Sequence, residues 1–255
     1  MPLQPTKTPE QIEAMRQGGQ ILAQLLADLK NYVQPGMTGQ QIDVWMEQEI
    51  LKRGAEVTYK DPAEGVDFPA SICVSVNENI VHGLPNELPL EKGDVAKFDL
   101  VITYRGMKVD SAFTMVVGEE PTGSKKHLLN NVEKSLYAGI AQVKPGARIG
   151  DISSAVEKVL KKAKLGIVLE LVGHGVGQKM HMDPEVPNYG KKGTGPVLSV
   201  GDTIAIEPMA SLGKGAITTA SDGWTIAMRD GSLSAHFEHT VLVTDKGCEI
   251  LTKLK

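Results

Sequence analysis

The sequence predicts an α+β protein in which two similar halves pack as one domain. Three observations carry that expectation. The chain repeats itself at a nearly constant offset, amphipathic helices follow Pro-Gly turns, and apolar strands in both halves carry a carboxylate where an apolar residue would be ordinary. Val33-Gln-Pro-Gly-Met-Thr-Gly-Gln-Gln-Ile42 matches Val143-Lys-Pro-Gly-Ala-Arg-Ile-Gly-Asp-Ile152 at an offset of 110, and Gly93-Asp-Val-Ala-Lys-Phe-Asp99 matches Gly201-Asp-Thr-Ile-Ala-Ile-Glu207 at an offset of 108. Pro-Gly and Gly-Asp are common turn pairs, so either match alone is open to coincidence. Two matches in the same order favour a duplication, with halves at roughly 8–123 and 124–255 of a single domain spanning 1–255.

Each element has a local reason. Thr8-Pro-Glu-Gln11 has the form of a capping box with proline at the first helical position. It opens a helix whose apolar face is Ile12, Met15, Leu22, Leu25, Leu26 and Leu29. After the first Pro-Gly turn, Ile42, Trp45, Met46 and Ile50 recur at helical spacing; after the second, Ile152, Val156, Val159 and Leu160 do so. The second of these helices is expected over 150–163 and another over 126–142, with strands over 71–75, 95–103, 108–117, 204–209, 225–228 and 237–243.

Composition removes several classes of function. At 255 residues the chain can bury about three quarters of its unfolded surface, so it needs no staple to form a core. A hydrophobic content of 41% with 23% charged residues excludes a disordered chain. The net charge of −4 argues against specific nucleic-acid binding, because phosphate contacts need a basic surface. No apolar run approaches the ~18 residues a membrane span needs. The N-terminus lacks a signal pattern, and Cys73 and Cys248 make no disulfide framework. The expectation is a soluble cytoplasmic protein.

Asp99 and Asp110 lie in strands joined by a turn at Tyr104-Arg-Gly-Met107. Their numbers sum to 209, and a loop centred on Arg105-Gly106 would pair positions summing to 211. Either odd sum places both carboxylates on one sheet face, opposite each other or one diagonal apart. Two like charges there call for a shared proton or an intervening cation. For this hairpin alone, two solvated acids on an exposed turn are an equal reading. Glu207 and Glu238 occupy corresponding strands of the second half, and a pseudo-twofold would bring all four carboxylates together. Two divalent ions would balance that charge, and the mixed Asp/Glu set with an imidazole suits Mn, Fe, Co or Zn better than Ca.

The histidines divide. His127 reads as a surface residue. His174 sits in Gly173-His-Gly-Val-Gly177, where glycines would let the backbone crowd a ligand; the stretch lacks the context of a dinucleotide loop. His82 and His181 precede loops rich in Pro and Gly, where a histidine is most often polar packing. His236 and His239 flank Glu238, are read as facing one side of their strand, and are assigned structural roles.

Seven segments together are specific enough to name a family: Val76-Asn-Glu-Asn-Ile-Val-His-Gly-Leu-Pro85, Phe98-Asp-Leu, Val109-Asp-Ser, Gly173-His-Gly-Val-Gly177, Ile206-Glu-Pro-Met209, Asp222-Gly-Trp224 and Ser234-Ala-His-Phe-Glu-His-Thr240. The sequence resembles the type I methionine aminopeptidases of the pita-bread superfamily, from about Lys7 to Leu254. The resemblance implies two pseudo-symmetric halves around a curved antiparallel sheet, with helices on the outer face. It implies that Asp99, Asp110, His174, Glu207 and Glu238 ligate two divalent ions, with a monovalent cation near Asn77 and Ser234. It implies further that His82 lies near the scissile amide nitrogen and His181 near the developing oxyanion. Glu207 would also move the proton, and Phe68, Cys73, Met180 and Trp224 would form the methionine pocket. The chain departs from many relatives at Val81, Met180 and Met182-Asp183, which bears on pocket shape rather than on the ligand set.

The implied activity is removal of the initiator methionine from nascent chains whose next residue is small. The peptide's free α-amino group would restrict cleavage to the first residue. Partners would be methionyl peptides and nascent chains, with transient ribosome contact, and the protein would be a monomer. Two alternatives stand beside this reading. Prolidases and proline-directed aminopeptidases share the fold and ligand types, although they usually carry an extra N-terminal domain. Silent pita-bread binding proteins lose ligands, and none is lost here.

Overall fold

Thr8 caps the first helix as its sequence dictates. Its hydroxyl accepts the Gln11 amide, and the Gln11 side chain accepts the Thr8 amide. This box opens α1 (Pro9–Tyr32) in the computed structural model, which describes residues 4–255. Thr38 and Gln41 repeat the box at α2 (Gly39–Lys52). In the second half come α3 (Gly123–Ile140) and α4 (Ile149–Lys162), where Asp151 takes over the cap by accepting the Arg148 amide.

The two Pro-Gly turns dock in the same way. Helices α2 and α4 are each 14 residues long. The Gly36 amide donates to the Leu90 carbonyl, as Gly146 does to Leu198, and isolated bridges join Thr38 to Pro89 and Arg148 to Val197. α1 and α2 bury Met15, Leu22, Leu29, Ile42 and Met46 against the first-half sheet. α3 and α4 bury Val132, Leu136, Ile152 and Val156 against the second. Helices therefore cover one side of the sheets in both halves.

In the first half, Val95–Tyr104 and Met107–Val116 pair without a slip from Val95↔Val116 to Tyr104↔Met107. The turn residues Arg105 and Gly106 both have left-handed φ, 48° and 75°, as a tight two-residue hairpin turn requires. Asp99 consequently faces Ala112, and Asp110 faces Val101. The two acids share a face, one diagonal apart. Cys73–Val76 pairs along the other edge of Val95–Tyr104, with Cys73 opposite Asp99.

In the second half, Thr203–Ile206 lies between His239–Thr244 and Val172–Gly175, and Gly247–Ile250 and Met182–Pro187 extend the two sides. Both long strands expected there are broken. Thr203–Ile206 resumes as Met209–Ser211 after Glu207-Pro208, and Ser234–His236 resumes as His239–Thr244 after Phe237-Glu238. Pro208 has no N–H to give a ladder, so an interruption at this point is its direct consequence. The breaks face each other, because Met209 pairs with His236 on one side and Ile206 with His239 on the other. Each break carries a glutamate.

Hydroxyls close the seam between the halves. Thr240 Oγ1 accepts the Asp110 amide and donates to the Asp110 carbonyl, Ser111 Oγ donates to the Glu238 carbonyl, and Thr114 Oγ1 donates to the His236 carbonyl. No helix among the described residues is long and apolar enough to cross a membrane.

Candidate active site

Four local structures deliver the candidate ligands. The hairpin presents Asp99 and Asp110, the paired strand breaks present Glu207 and Glu238, and Val172–Gly175 presents His174. All five line one cavity of about 830 Å³, together with His82, His181, Phe68, Cys73, Met180 and Trp224. Ligand atoms of Asp110, His174 and Glu238 lie within 4.8 Å of one another. His174 Nε2 stands 3.4 Å from Glu207 Oε1 and 3.8 Å from Asp110 Oδ2.

The electrostatics ask for a cation. Burial pushes the carboxyls of Asp110, Glu207 and Glu238 well above the usual range, and the charges of neighbouring acids push the same way. Burial also raises Asp99, against the opposing influence of His236. Asp110 Oδ1 and Glu238 Oε1 are buried without a hydrogen-bond partner. Burial, then the neighbouring His181, pushes the His174 pKa down to about 3, so the ring is neutral. Its Nδ1 lies 3.0 Å from the Gly175 carbonyl, which only accepts; Nδ1 therefore carries the proton and Nε2 turns a lone pair to the acids. Four buried carboxylates, two orphaned oxygens and a neutral imidazole with its lone pair aimed inward fit divalent metal ions.

Residues 13–245 match metallopeptidase family M24. The chain belongs to that family. The methionine aminopeptidase 1 of Bacillus subtilis is 41% identical over 249 residues, covering 97% of this chain and 98% of its own. The crystal structure of the methionine aminopeptidase from Thermotoga maritima superposes with a TM-score of 0.93 at 39% identity, covering 98% of this chain and 99% of that one. The prolidase of Pyrococcus furiosus reaches a TM-score of 0.77 at 22% identity, and this chain covers 66% of it. That last likeness shows the fold alone, which is the pita-bread α+β fold. As a member of M24 the protein uses divalent metal.

Within this M24 site, His82 has a left-handed φ of 55°, a conformation that costs about 1–3 kcal/mol in a non-glycine residue. Gly83 holds it there. The Gly83 amide donates to Ser75 Oγ and its carbonyl accepts from Val74, and a Cβ at Gly83 would stand 2.4 Å from the Val74 oxygen. His181 lies at the cavity mouth with its ring edge-to-face against His174, centroids 4.4 Å apart. Desolvation lowers the pKa of both His82 and His181. Phe68 stacks edge-on to Trp224 at 5.4 Å and packs with Cys73 and Met180 into a small apolar cluster.

Several features of the M24 site were not legible in the sequence. Tyr59 joins the apolar wall and meets Cys73 Sγ through its hydroxyl at 3.8 Å. His236, assigned a structural role, is 1% exposed and places Nε2 3.4 Å from Glu207 Oε2, at the back of the site. The expectation that His236 and His239 face one side is overturned. His239 points away, to Thr252 Oγ1 and Tyr137, as its odd spacing of three residues from His236 requires even of an unbroken strand. The glycines around His174 also differ from expectation. A Cβ at Gly173 would lie 2.4 Å from the Ala205 oxygen and one at Gly175 2.1 Å from the Asp183 oxygen, so they admit neighbouring strands rather than a ligand. His127 is a surface residue, as expected.

Proposed function

We propose that this protein is a methionyl aminopeptidase that removes the initiator methionine from proteins whose second residue is small. One observation carries the reading: a single cavity holds five convergent metal-ligand side chains, two further histidines and an apolar wall. The names of the full-length relatives support the same activity.

In this reading Asp99, Asp110, His174, Glu207 and Glu238 hold two divalent ions, drawn from Co, Mn, Fe or Zn. Bound there, the ions supply Lewis-acid polarisation and make water acidic enough to attack near neutral pH. The remaining work falls to side chains. Glu207, which lines the cavity beside His174, takes a proton from the attacking water and returns it to the leaving amine. His236, against its outer oxygen, orients it. His82 donates near the scissile amide nitrogen and His181 donates to the developing oxyanion. Each needs only one N–H, which a neutral imidazole has. The wall of Phe68, Cys73, Met180 and Trp224, with Tyr59 behind it, receives the substrate's unbranched thioether. Met180 suits this place because its own flexible thioether adapts to a similar shape.

The whole chain would act as one catalytic domain built by duplication at roughly 8–123 and 124–255, which the equal length of α2 and α4 and their matching bridges support. Substrates would be methionyl peptides and nascent chains, met in the cytoplasm with transient ribosome contact. The protein would act as a monomer.

The test is hydrolysis of Met-Ala-Ser beside Ala-Pro-Ala by metal-stripped protein reloaded with Mn, Co, Fe or Zn. Metal-dependent cleavage of the methionyl peptide alone is expected. Cleavage of the prolyl peptide instead would overturn the substrate. Silence on both with metal bound would leave a binding protein.

A further inference from the structure

Lys97 is among the largest fully buried side chains of the described residues, at 1% exposure near the start of the Val95–Tyr104 strand. Its partners are carbonyls rather than a carboxylate: Nζ donates to the Asn77 oxygen at 2.7 Å and to the Val95 oxygen at 3.1 Å. The Asn77 carbonyl also accepts the Ser234 amide at 3.2 Å and Ser234 Oγ at 3.0 Å. Asn77 itself is held in a left-handed conformation, φ 55°, by its side chain, whose Oδ1 accepts the Val95 amide and whose Nδ2 donates to Asp94. Three segments thus converge on one carbonyl, and a side-chain nitrogen lies at the point of convergence.

The monovalent cation that the resemblance implies near Asn77 and Ser234 does not fit this arrangement. A nitrogen 2.7 Å from the Asn77 oxygen fills the volume that an ion bound to that oxygen would need. We infer that the Lys97 amino group takes the place of a free monovalent cation in this chain, and acts as a positioning residue that ties the Asp99 strand to the segment leading into Glu238.

The strand geometry gives that tie its effect. Lys97 and Asp99 are two residues apart and therefore share a face of the strand. Ser234 opens the short strand that ends at His236, immediately before the break carrying Glu238. Burial pulls the Lys97 pKa well below its ordinary value, while Glu78 and Asp94 pull it up. Charged or neutral, the amino group has enough hydrogens for both carbonyls, so occupancy does not turn on its protonation. That Asp99 and Glu238 are ligands rests on the proposed function; the displacement of a free ion does not.

The experiment compares thermal unfolding and Met-Ala-Ser hydrolysis in potassium, sodium and tetramethylammonium chloride at one ionic strength, on the metal-loaded enzyme. The natural protein should show the same Tm and the same rate in all three. A Tm higher in potassium or sodium than in tetramethylammonium would show that the site takes a free ion, and would overturn the inference without any variant. Lys97→Ser opens the space, so its Tm should rise by about 2–4 °C, the shift of a modest binding energy in a chain of this size, when potassium replaces tetramethylammonium. Lys97→Met fills the space without a donor, and should lose stability with no response to the cation. A Lys97→Ser protein indifferent to the cation would also overturn it. Unfolding reports on the cage whether or not the peptide is cleaved, so an inactive protein with a cation-independent Tm would count against the aminopeptidase reading alone.

Discussion

Glu64 and Lys108 form an ion pair of 2.8 Å that is nearly sealed from solvent, their side chains 6% and 9% exposed. The second carboxylate oxygen of Glu64 accepts the Met180 amide at 2.8 Å, and the Lys108 amide donates to the Gly177 carbonyl at 2.7 Å. The pair therefore fastens the irregular stretch between Gly177 and His181 onto the first-half hairpin. Removing one partner of a buried pair strands the other charge and typically costs about 3–5 kcal/mol. Glu64→Ala should lower the urea midpoint accordingly and reduce kcat/KM, with divalent metal still bound. Adding Lys108→Met should recover much of the stability but little of the activity. Recovery of both together would show that the pair serves stability only.

His181→Ala should lower kcat by about 10²–10³-fold, the usual loss on removing one oxyanion donor. Metal content, measured on the same preparation, should be unchanged. A near-normal kcat would remove His181 from the mechanism.

Asp110→Asn and Glu238→Gln should each abolish full occupancy by divalent metal, read by elemental analysis after dialysis. Full occupancy in either variant would refute the ligand assignment.

The same variants test the electrostatics without metal. The folded pKa of Asp110 is raised, so in the metal-free protein the native state holds a proton that the unfolded chain releases. Stability from this group is present at acid pH and lost as pH rises from the unfolded carboxylate value, about 4, through the folded one. Metal-free Asp110→Asn should therefore be more stable than the metal-free natural protein at neutral pH, and the difference should close as pH falls toward about 4. Comparing the two proteins cancels the opposite trend of buried neutral His174, whose pKa of about 3 weakens the fold on acidification. A gap that widens toward acid pH would contradict the raised pKa.

Ser111→Ala leaves the buried Glu238 carbonyl without the hydroxyl that donates to it. Stranding such an acceptor costs about 1–3 kcal/mol. Because the lost bond lies beside two candidate ligands, the affinity for divalent metal should fall together with the unfolding midpoint. Titration of metal into stripped protein checks the first, and urea unfolding the second.

The hairpin was readable because its register follows from arithmetic once the turn is placed, and Arg105-Gly106 marks the turn. The capping box at Thr8 and the Pro-Gly turns are legible because their signals are local; the matching box at Thr38 emerges only in the structure. Val172–Gly175 and Met182–Pro187 carry no strand signal of their own: one is half glycine and the other contains Pro184 and Pro187, and their pairing comes from neighbours distant in sequence. His236 and Tyr59 carry no local signal, because their importance depends on what crosses the site beside them. Lys97 was hidden differently. It sits among apolar residues as an ordinary strand position, and only the left-handed turn at Asn77 brings carbonyls to its end.

The crowding at Gly173 and Gly175 separates ancestry from activity. Those glycines are demanded by the oxygens of Ala205 and Asp183, which belong to the folded chain and not to any reactant. A descendant that abandoned catalysis would still have to keep them in order to fold. Among distant cousins, a preserved Gly-His-Gly is therefore a record of strand packing. The carboxylates at the two strand breaks, which packing alone does not demand, are the positions that would tell a living enzyme from a retired one.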